Sequence, residues 1–527
     1  QAIYLAGTHA QDHGCFYRGI MNKKSILLKE IITSLVGGIL LGALVSLFSS
    51  GSFFFGWLQS GVFSTLLLFG LLRIWRLTGA GRTLAILMLV AFALRLALGI
   101  FLYKGLPAFG FDTPVQQAGY VFSDASERDQ AAYQIATSGE PWLTQFAQNR
   151  AVDQYGGLLA LSTLIYGIFS SDVHRPLLIV LLSAFSMSAG VAFFHAAVKN
   201  KWGGKIALVA AWVYALYPEG VLLGSSQMRE PILMGLAALL FWCSLDWHKK
   251  PLRTLLIGLL ITIVTCLISV PAGSVTFVVV AGMVFLEWLS EQENLKLRGL
   301  GITLFILLLG VAVVGGWSWL KDGLSYEYYL TQAGSGVIQV LLEHVPEKIG
   351  TILITLYGLT QPVLPAALVD PSKPIWQGIA IFRAAGWFLV LPFIAYGFLA
   401  VFRSKKSENR SILIFISLVF AAWVLISSLR AGGDQWDNPR YRSTLLPWIA
   451  ILVGWVWERV RTSHNLWFWC VVAIEAVYFL LFMNFYINRY VNIGTMISIP
   501  VTVLLIGAIS LILIIGCFFL DRKKSRL

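Results

Sequence analysis

Charge is what this sequence has least of. Only 12% of its 527 residues are charged and 57% are hydrophobic, whereas soluble domains carry about 25% charged residues. Several runs reach the ~18–20 apolar residues needed to cross a bilayer, and they are continuously apolar, which favours helices over alternating strands. The shortage of charge excludes an ordinary soluble protein and predicts an all-α polytopic membrane protein of about 13–14 transmembrane helices.

Cysteine and metal-ligand patterns are also scarce. The five cysteines are scattered and form no CxxC pair, so neither a disulfide framework nor a zinc site is supported. No histidine lies in a spacing such as HExxH. We therefore predict no certain cofactor, although a divalent metal stays open.

The basic residues are grouped in short clusters. The net charge of +13 would suggest nucleic acid as the partner of a soluble protein, but here lysine and arginine lie between apolar runs and indicate orientation. Membrane lipids are thus the expected partner, and nucleic acid is not. Candidate spans fall at 31–50, 54–73, 84–103, 176–197, 205–217, 231–247, 253–270, 272–289, 299–319, 376–401, 411–429, 443–459, 466–486 and 497–519.

Every second loop is basic, which predicts that both termini are cytoplasmic. This register treats 157–170 as a helix that lies on, or dips into, the outer surface; counting it as a span would invert every later loop. Four polar intervals are then on the outer face: 104–175, 218–230, 320–375 and 430–442. Residues 349–368 within the third interval are apolar but interrupted by prolines, which predicts a surface or re-entrant helix. The functional chemistry is expected at this face.

The domain organisation follows from these spans. Residues 1–20 have no apolar core and are predicted to be a non-native or disordered leader. Residues 21–83 hold two additional spans, 84–460 form the membrane core with the four outer loops, and 461–527 form C-terminal spans and a basic cytoplasmic tail.

The first outer interval contains "SDASERDQAAYQIATSG", with three acids in six residues. Asp124 as N-cap and Glu127 three residues later form a capping box, and Arg128 could pair with Asp124 on the same helix face. A carboxylate here is also a candidate general base whose pKa burial can raise. Asp129 points about 180° away from Asp124 on a helix, so the two are not expected to share one site. Which of Asp124, Glu127 and Asp129 is the base stays open.

The later outer intervals add acids and arginines near prolines. Glu219, Arg229 and Glu230 lie between Pro218 and Pro231, where interfacial anchoring is the plain alternative to a functional role. Arginines on the outer face need a partner, and their planar forks suit phosphate. The candidates for substrate binding are Arg440, Tyr441 and Arg442, with Lys348 as a weaker candidate for phosphate.

These outer features together resemble the GT-C glycosyltransferases, closest to the branch that contains the dolichyl-phosphate-mannose protein mannosyltransferases and their bacterial relatives. The family motif of an acid, an aromatic four residues on, an alanine eight on and then a glycine is similar to Asp124, Arg128, Ala132 and Gly139, with arginine replacing the aromatic. "YPEGVLLGSSQMREP" resembles the second outer loop of that family, and "NPRYRSTLLPW" its late Arg-Tyr-then-Pro pattern.

The resemblance implies an inverting sugar transfer from a polyprenyl-phosphate donor to a glycan, lipid or protein acceptor. Asp124, Glu127, Asp129 and Glu219 are then the catalytic candidates. Arg128, Arg229, Glu230, Arg440, Tyr441, Arg442 and Lys348 are the binding candidates. The implied location is a prokaryotic plasma membrane, with the site exoplasmic.

A transporter or flippase of a lipid-linked or small anionic substrate is the alternative, since it shares the hydropathy and the Pro/Gly breaks. Transporters usually carry ionisable residues inside their spans. Here Arg95 is the main intramembrane charge that the sequence indicates, and the other charges gather at one surface. That distribution favours chemistry at the interface.

Overall fold

A computed structural model of the protein consists of helices joined by short turns. The structure describes residues 5–146, 152–307, 347–404, 409–431, 434–463, 465–495 and 497–524, with positions 310, 314, 317 and 321; side chains of the first helix are described from Ser25. Within these residues there is no strand. The predicted all-α class is confirmed.

Proline sets where many helices begin, because it fits the first helical turn, where its missing N–H costs nothing. The helices of the first half are α1 (Leu5–Phe48), α2 (Phe53–Leu77), α3 (Arg82–Phe109), α4 (Pro114–Gln117), α5 (Ser123–Ser138), α6 (Gly157–Phe169), α7 (Leu177–Trp202), α8 (Gly204–Leu216), α9 (Pro218–Gly224), α10 (Glu230–Ser244), α11 (Pro251–Ile268) and α12 (Val270–Glu291). The later helices of the described residues include α13 (Glu347–Thr360), α14 (Leu364–Val369), α15 (Pro374–Arg403), α16 (Arg410–Ala431), α17 (Asp437–Ser443), α18 (Leu446–Thr462), α19 (Leu466–Val491) and α20 (Ile499–Lys524).

Among the described residues, ten helices are long and apolar enough to cross a membrane, or eleven if α8 and α9, which are bent by 51°, count as one span. The predicted number was higher for two reasons. The predicted spans 231–247 and 443–459 form α10 and α18, of 15 and 17 residues, at or below the ~17-residue limit for a span. The predicted span 299–319 lies partly outside the described residues.

The helix α1 begins at Leu5, so it includes most of the predicted leader. It packs on α2 at very short range, since a Cβ atom added to Gly42 would lie 2.5 Å from the Cα of Gly61. Close contact of small residues is how helices associate in lipid, where hydrophobic burial gives little driving force. The two N-terminal spans therefore form a tight hairpin, and α2 also packs on α7.

The centre of the molecule is α7, which is almost wholly buried against α3, α8 and α10. Within this centre Arg95 on α3 is fully buried and donates hydrogen bonds to the backbone oxygens of Ala91 and Ala215. The second of these lies at the end of α8, just before the Pro218 break. This contact fixes α3 against the bend that leads into the second polar interval.

The helix α6 was predicted to lie on an outer surface. In the structure most of its residues are buried, and it packs against α5. The predicted interrupted helix at 349–368 is present as α13 and α14, with the break at Gln361 and Pro362. The polar intervals thus fold into short helices that pack on one another.

Candidate functional site

One cavity of about 820 Å³ collects residues from the first, third and fourth polar intervals. Helices α15 and α19 complete its wall. Its lining residues are Phe111, Gln116, Val121, Phe122, Ser123, Asp124, Tyr357, Gln361, Pro362, Val363, Ala366, Ala367, Asp370, Ser372, Trp376, Ala380, Arg383, Asp434, Gln435, Trp436, Asp437, Arg440, Tyr486, Arg489 and Tyr490. The volume lies within the ~300–1,000 Å³ typical of small-molecule sites.

Glu230 of the second interval does not line the cavity, but it contacts the lining residue Arg440. We name Asp124, Glu230, Asp437 and Arg440 the arginine–carboxylate cluster. Arg440 Nη2 lies 3.0 Å from Asp124 Oδ2, Arg440 Nε lies 2.7 Å from Glu230 Oε1, and Arg440 Nη1 lies 3.3 Å from Asp437 Oδ1. All three nitrogens of one guanidinium therefore bind carboxylates from three separate segments. Planar guanidinium geometry makes such three-way binding specific to arginine.

Burial and charge act in opposite directions in the arginine–carboxylate cluster. Burial tends to raise the pKa of Glu230 and Asp124, but Arg440 and the other arginines outweigh it, so both pKa values are lowered. Burial tends to lower the pKa of Arg440, and the carboxylates of Glu230, Asp124 and Asp437 raise it overall. Asp437 differs, because burial raises its pKa more than Arg440 lowers it. The cluster thus favours the charged forms of Asp124, Glu230 and Arg440, whereas burial favours the neutral form of Asp437.

Asp124 lies at the start of α5, but not as its N-cap. The helix begins at Ser123 with Phe122 as N-cap, and Asp124 Oδ1 accepts the N–H of Ala125 at 3.0 Å. The predicted capping box is therefore wrong, as is a raised pKa for Asp124. Its carboxylate gains from the positive helix end and pairs with Arg440 rather than Arg128. Gly139, with φ of 79°, ends the helix in the left-handed region that glycine favours.

Asp129 lies on the other side of α5, as the helical angle predicts, and does not line the cavity. It is 2% exposed and accepts hydrogen bonds from the hydroxyls of Tyr120 at 2.7 Å and Tyr166 at 2.6 Å. His174 Nε2 lies 3.0 Å from the same carboxylate. Through these contacts the Asp129 carboxylate joins α5 to α6 and to the segment before α7, which indicates a structural role.

The other two charged residues of this helix also lie off the cavity lining. Glu127 is exposed. Arg128 is 4% exposed, and its Nη2 donates to the backbone oxygen of Gln227 at 2.6 Å, which ties α5 to the turn before α10. Burial lowers the pKa of Arg128, although Asp124 raises it in part. Arg128 thus adds positive charge near Asp124 without an ion pair to it.

Glu219 forms a buried ion pair with Arg383 of α15. Arg383 Nε and Nη2 lie 2.6 and 3.0 Å from the two carboxylate oxygens. Arg383 also lies over the Trp436 ring at 4.2 Å and reaches the cavity, whereas Glu219 is behind it. The sequence analysis missed Arg383 and was wrong to treat Arg95 as the main intramembrane charge. A charged residue within an apolar run indicates a functional site, and Arg383 is such a residue.

The remaining predicted residues have varied positions. Arg229 lies over the Tyr155 ring at 5.8 Å, with its Nε 3.8 Å from Glu230 Oε1. The Tyr441 hydroxyl lies 3.2 Å from Asp437 Oδ2, and burial raises the pKa of Tyr441 to about 12. The structure thus brings Asp124, Glu230 and Arg440 together and places Arg229 and Tyr441 beside them.

Arg442 does not reach the cavity lining. Arg442 is 1% exposed, lies over the Trp387 ring at 4.0 Å and donates to the backbone oxygen of Gln361. Burial lowers the pKa of Arg442 to about 10. The side chain of Lys348 lies outside the described residues.

Asp437 and Arg489 also line the cavity and were not among the predicted site residues. Asp437 was in the quoted fourth interval but was not singled out. Arg489 was missed because the predicted span ended at 486, whereas α19 continues to Val491. Over the described part of the chain, no group of three or more His, Cys, Asp or Glu residues is placed to hold a metal ion.

Comparison with known proteins gives little beyond this geometry. No protein-family model matches the chain, and no curated protein matches it. Among solved structures, it is similar to the archaeal oligosaccharyltransferase AglB from Archaeoglobus fulgidus in complex with an inhibitory peptide and a dolichol-phosphate, at 13% identity and a TM-score of 0.35. The match covers 83% of this chain but only 56% of that one. A TM-score this low is too weak to assign a function to the chain.

Proposed function

We propose that the protein is a membrane glycosyltransferase of the GT-C type, which moves a sugar from a polyprenyl-phosphate donor to a lipid, glycan or protein acceptor. The observation that carries this proposal is the 3.0 Å pair between Asp124 and Arg440 on the wall of one cavity. A carboxylate that can take the acceptor proton is the general base that this transfer needs, and the pair with Arg440 holds the Asp124 carboxylate at the cavity wall.

The proposed reaction is a single displacement. The acceptor oxygen or nitrogen forms a bond to the anomeric carbon while the bond from that carbon to the phosphate oxygen breaks. Asp124 accepts the acceptor proton, and the electron pair of the broken bond leaves with the polyprenyl phosphate. Attack from the side opposite the leaving group inverts the anomeric configuration.

The lowered pKa makes Asp124 a weak base, but it also keeps the carboxylate ionised at neutral pH and therefore able to accept a proton. The acceptor hydroxyl becomes far more acidic as its bond to the anomeric carbon forms, so a weak base suffices for a proton transferred late in the step. Arg440 holds the Asp124 carboxylate from one side. Glu230 and Asp437 hold Arg440 in turn, which makes them positioning residues.

Mostly aromatic and polar groups line the cavity, which suits a sugar. Trp376 and Trp436 stand edge to face at 5.4 Å between their ring centroids. Aromatic faces and carboxylates are the usual contacts for sugar rings and hydroxyls. The basic clusters on alternate loops support the proposal that this cavity faces the outer side of a plasma membrane, with both termini inside.

The test is turnover of a polyprenyl-phosphate sugar, labelled in the sugar, by the purified protein in detergent. We expect release of polyprenyl phosphate together with a labelled product, and only when an acceptor is present. A transporter or flippase would bind the donor and leave it intact. Failure of the wild-type protein to turn over any such donor across a panel of sugars and acceptors would contradict the proposal.

A further inference from the structure

The cavity has three arginines in its described lining, and two of them are neutralised by acids. Arg440 binds three carboxylates and Arg383 binds Glu219. Arg489 is different, because no carboxylate among the described residues lies within ion-pair distance of it. It is exposed and lines the same cavity. The negatively charged phosphate of a donor would therefore meet an uncompensated cation at Arg489.

The surroundings of Arg489 are phenolic rather than acidic. Its guanidinium lies 5.5 Å from the ring centroid of Tyr490, and Tyr357 and Tyr486 line the cavity beside it. Burial raises the pKa of Tyr357, while a hydrogen bond with Gln361 and the charge of Arg489 lower it in part. Neutral phenols can donate hydrogen bonds to a phosphate, and they do not compete for the arginine.

The acids of the cavity lie mainly in the first and fourth polar intervals. Asp124, Asp434 and Asp437 line the wall formed there, and Asp370 lines the cavity at the end of α14. Arg489 with Tyr357, Tyr486 and Tyr490 forms the wall contributed by α13 and α19. We name the second set the tyrosine–arginine wall. An anion is repelled by the first wall and attracted by the second. A sugar hydroxyl or an acceptor amine has the opposite preference.

We propose that the tyrosine–arginine wall binds the phosphate of the lipid-linked donor, with Arg489 as its principal cation, and that the acidic wall binds the acceptor. This inference rests on the proposed function and assigns its phosphate site. Arg489 takes the role of phosphate-binding cation, for which the sequence favoured Arg229, Arg440 and Arg442. Those three are held by carboxylates, aromatic rings or backbone in the structure. Arg489 also complements the carboxyl end of α19, so the test must separate binding from stability.

The experiment measures equilibrium binding of a labelled polyprenyl phosphate and of the matching phosphate-free polyprenol to the full chain in detergent. We expect the wild-type protein to prefer the phosphate. Arg489→Gln should weaken phosphate binding by about 10- to 100-fold, the worth of charged hydrogen bonds, and leave polyprenol binding unchanged. Arg489→Lys should recover part of the loss. Arg461→Gln is the matched control, since Arg461 is also an exposed arginine in the last turn of a helix.

The possible outcomes separate this inference from the proposed function. If Arg489→Gln keeps the full preference for phosphate while the wild-type protein turns over donor, the phosphate site is wrong and the glycosyltransferase proposal stands. If the wild-type protein shows no preference for phosphate over polyprenol, the inference is overturned as well.

Inorganic phosphate is expected to displace the lipid only weakly. Displacement equally strong in wild-type protein and in Arg489→Gln would place the phosphate elsewhere. An unchanged melting temperature in Arg489→Gln assigns the effect to binding.

Discussion

Asp124→Asn is expected to lower the turnover of sugar transfer by about 10²- to 10⁴-fold, the usual contribution of a general base. Asparagine has the same shape and can still accept the N–H of Ala125 and a hydrogen bond from Arg440, but it cannot take the acceptor proton. The KM for the donor should change little, because the phosphate is bound elsewhere in the cavity. The measurement is kcat and KM with a labelled donor.

The matched control is Glu127→Gln, an exposed acid three residues further along α5 that does not line the cavity. Its turnover should equal that of the wild type. The pH profile gives a second check on Asp124. Because its pKa is lowered, activity should be lost only as the pH falls below the ordinary aspartate value of about 3.9. Undiminished turnover in Asp124→Asn would remove this residue from the mechanism.

Arg440→Gln is expected to destabilise the fold by about 3–5 kcal/mol, the usual cost of removing one partner of a buried ion pair. Glu230 is 4% exposed and would keep a buried negative charge with no cation in direct contact beyond Arg229 at 3.8 Å. Arg440→Lys should rescue little, since an ammonium cannot bind three carboxylates in the directions of a guanidinium. The measurement is the free energy of unfolding from denaturant titration in detergent.

A double variant is the control for this prediction. Arg440→Gln combined with Glu230→Gln removes the orphaned charge together with its partner, and it should recover part of the lost stability. Equal stability of Arg440→Gln and the wild-type protein would show that the arginine–carboxylate cluster does not join the three segments.

The fold class was predictable because it depends on composition. Long apolar runs and a shortage of charge leave few options besides membrane helices, and helix starts at prolines such as Pro231 and Pro374 can be read directly. The number of spans was less accessible. Helices α10 and α18 are apolar but short, and whether such a helix crosses a membrane depends on its packing against neighbours rather than on its own sequence.

The site was partly predictable for the same reason. Asp124 and Arg440 were chosen because acids and arginines stand out in an apolar chain, and the structure brings the two together. Their partners could not be derived, because pairing between residues 300 positions apart is a property of helix packing. Arg383 was overlooked although it lies within an apolar run, and Arg489 lies beyond the predicted end of its span. Asp129 was expected to be a functional acid, but the hydroxyls of Tyr120 and Tyr166 occupy its carboxylate.

The most direct test of the account is photo-crosslinking with a polyprenyl phosphate that carries a photoreactive group beside its phosphate. We expect labelled peptides from the cavity that contain Tyr357, Tyr486 or Tyr490, and loss of labelling when unlabelled polyprenyl phosphate is added. The apolar groove of about 600 Å³ between α10, α11 and α12, lined by Trp247 and Trp288, is the internal comparison. Labelling confined to that groove, with none in the cavity, would contradict the account.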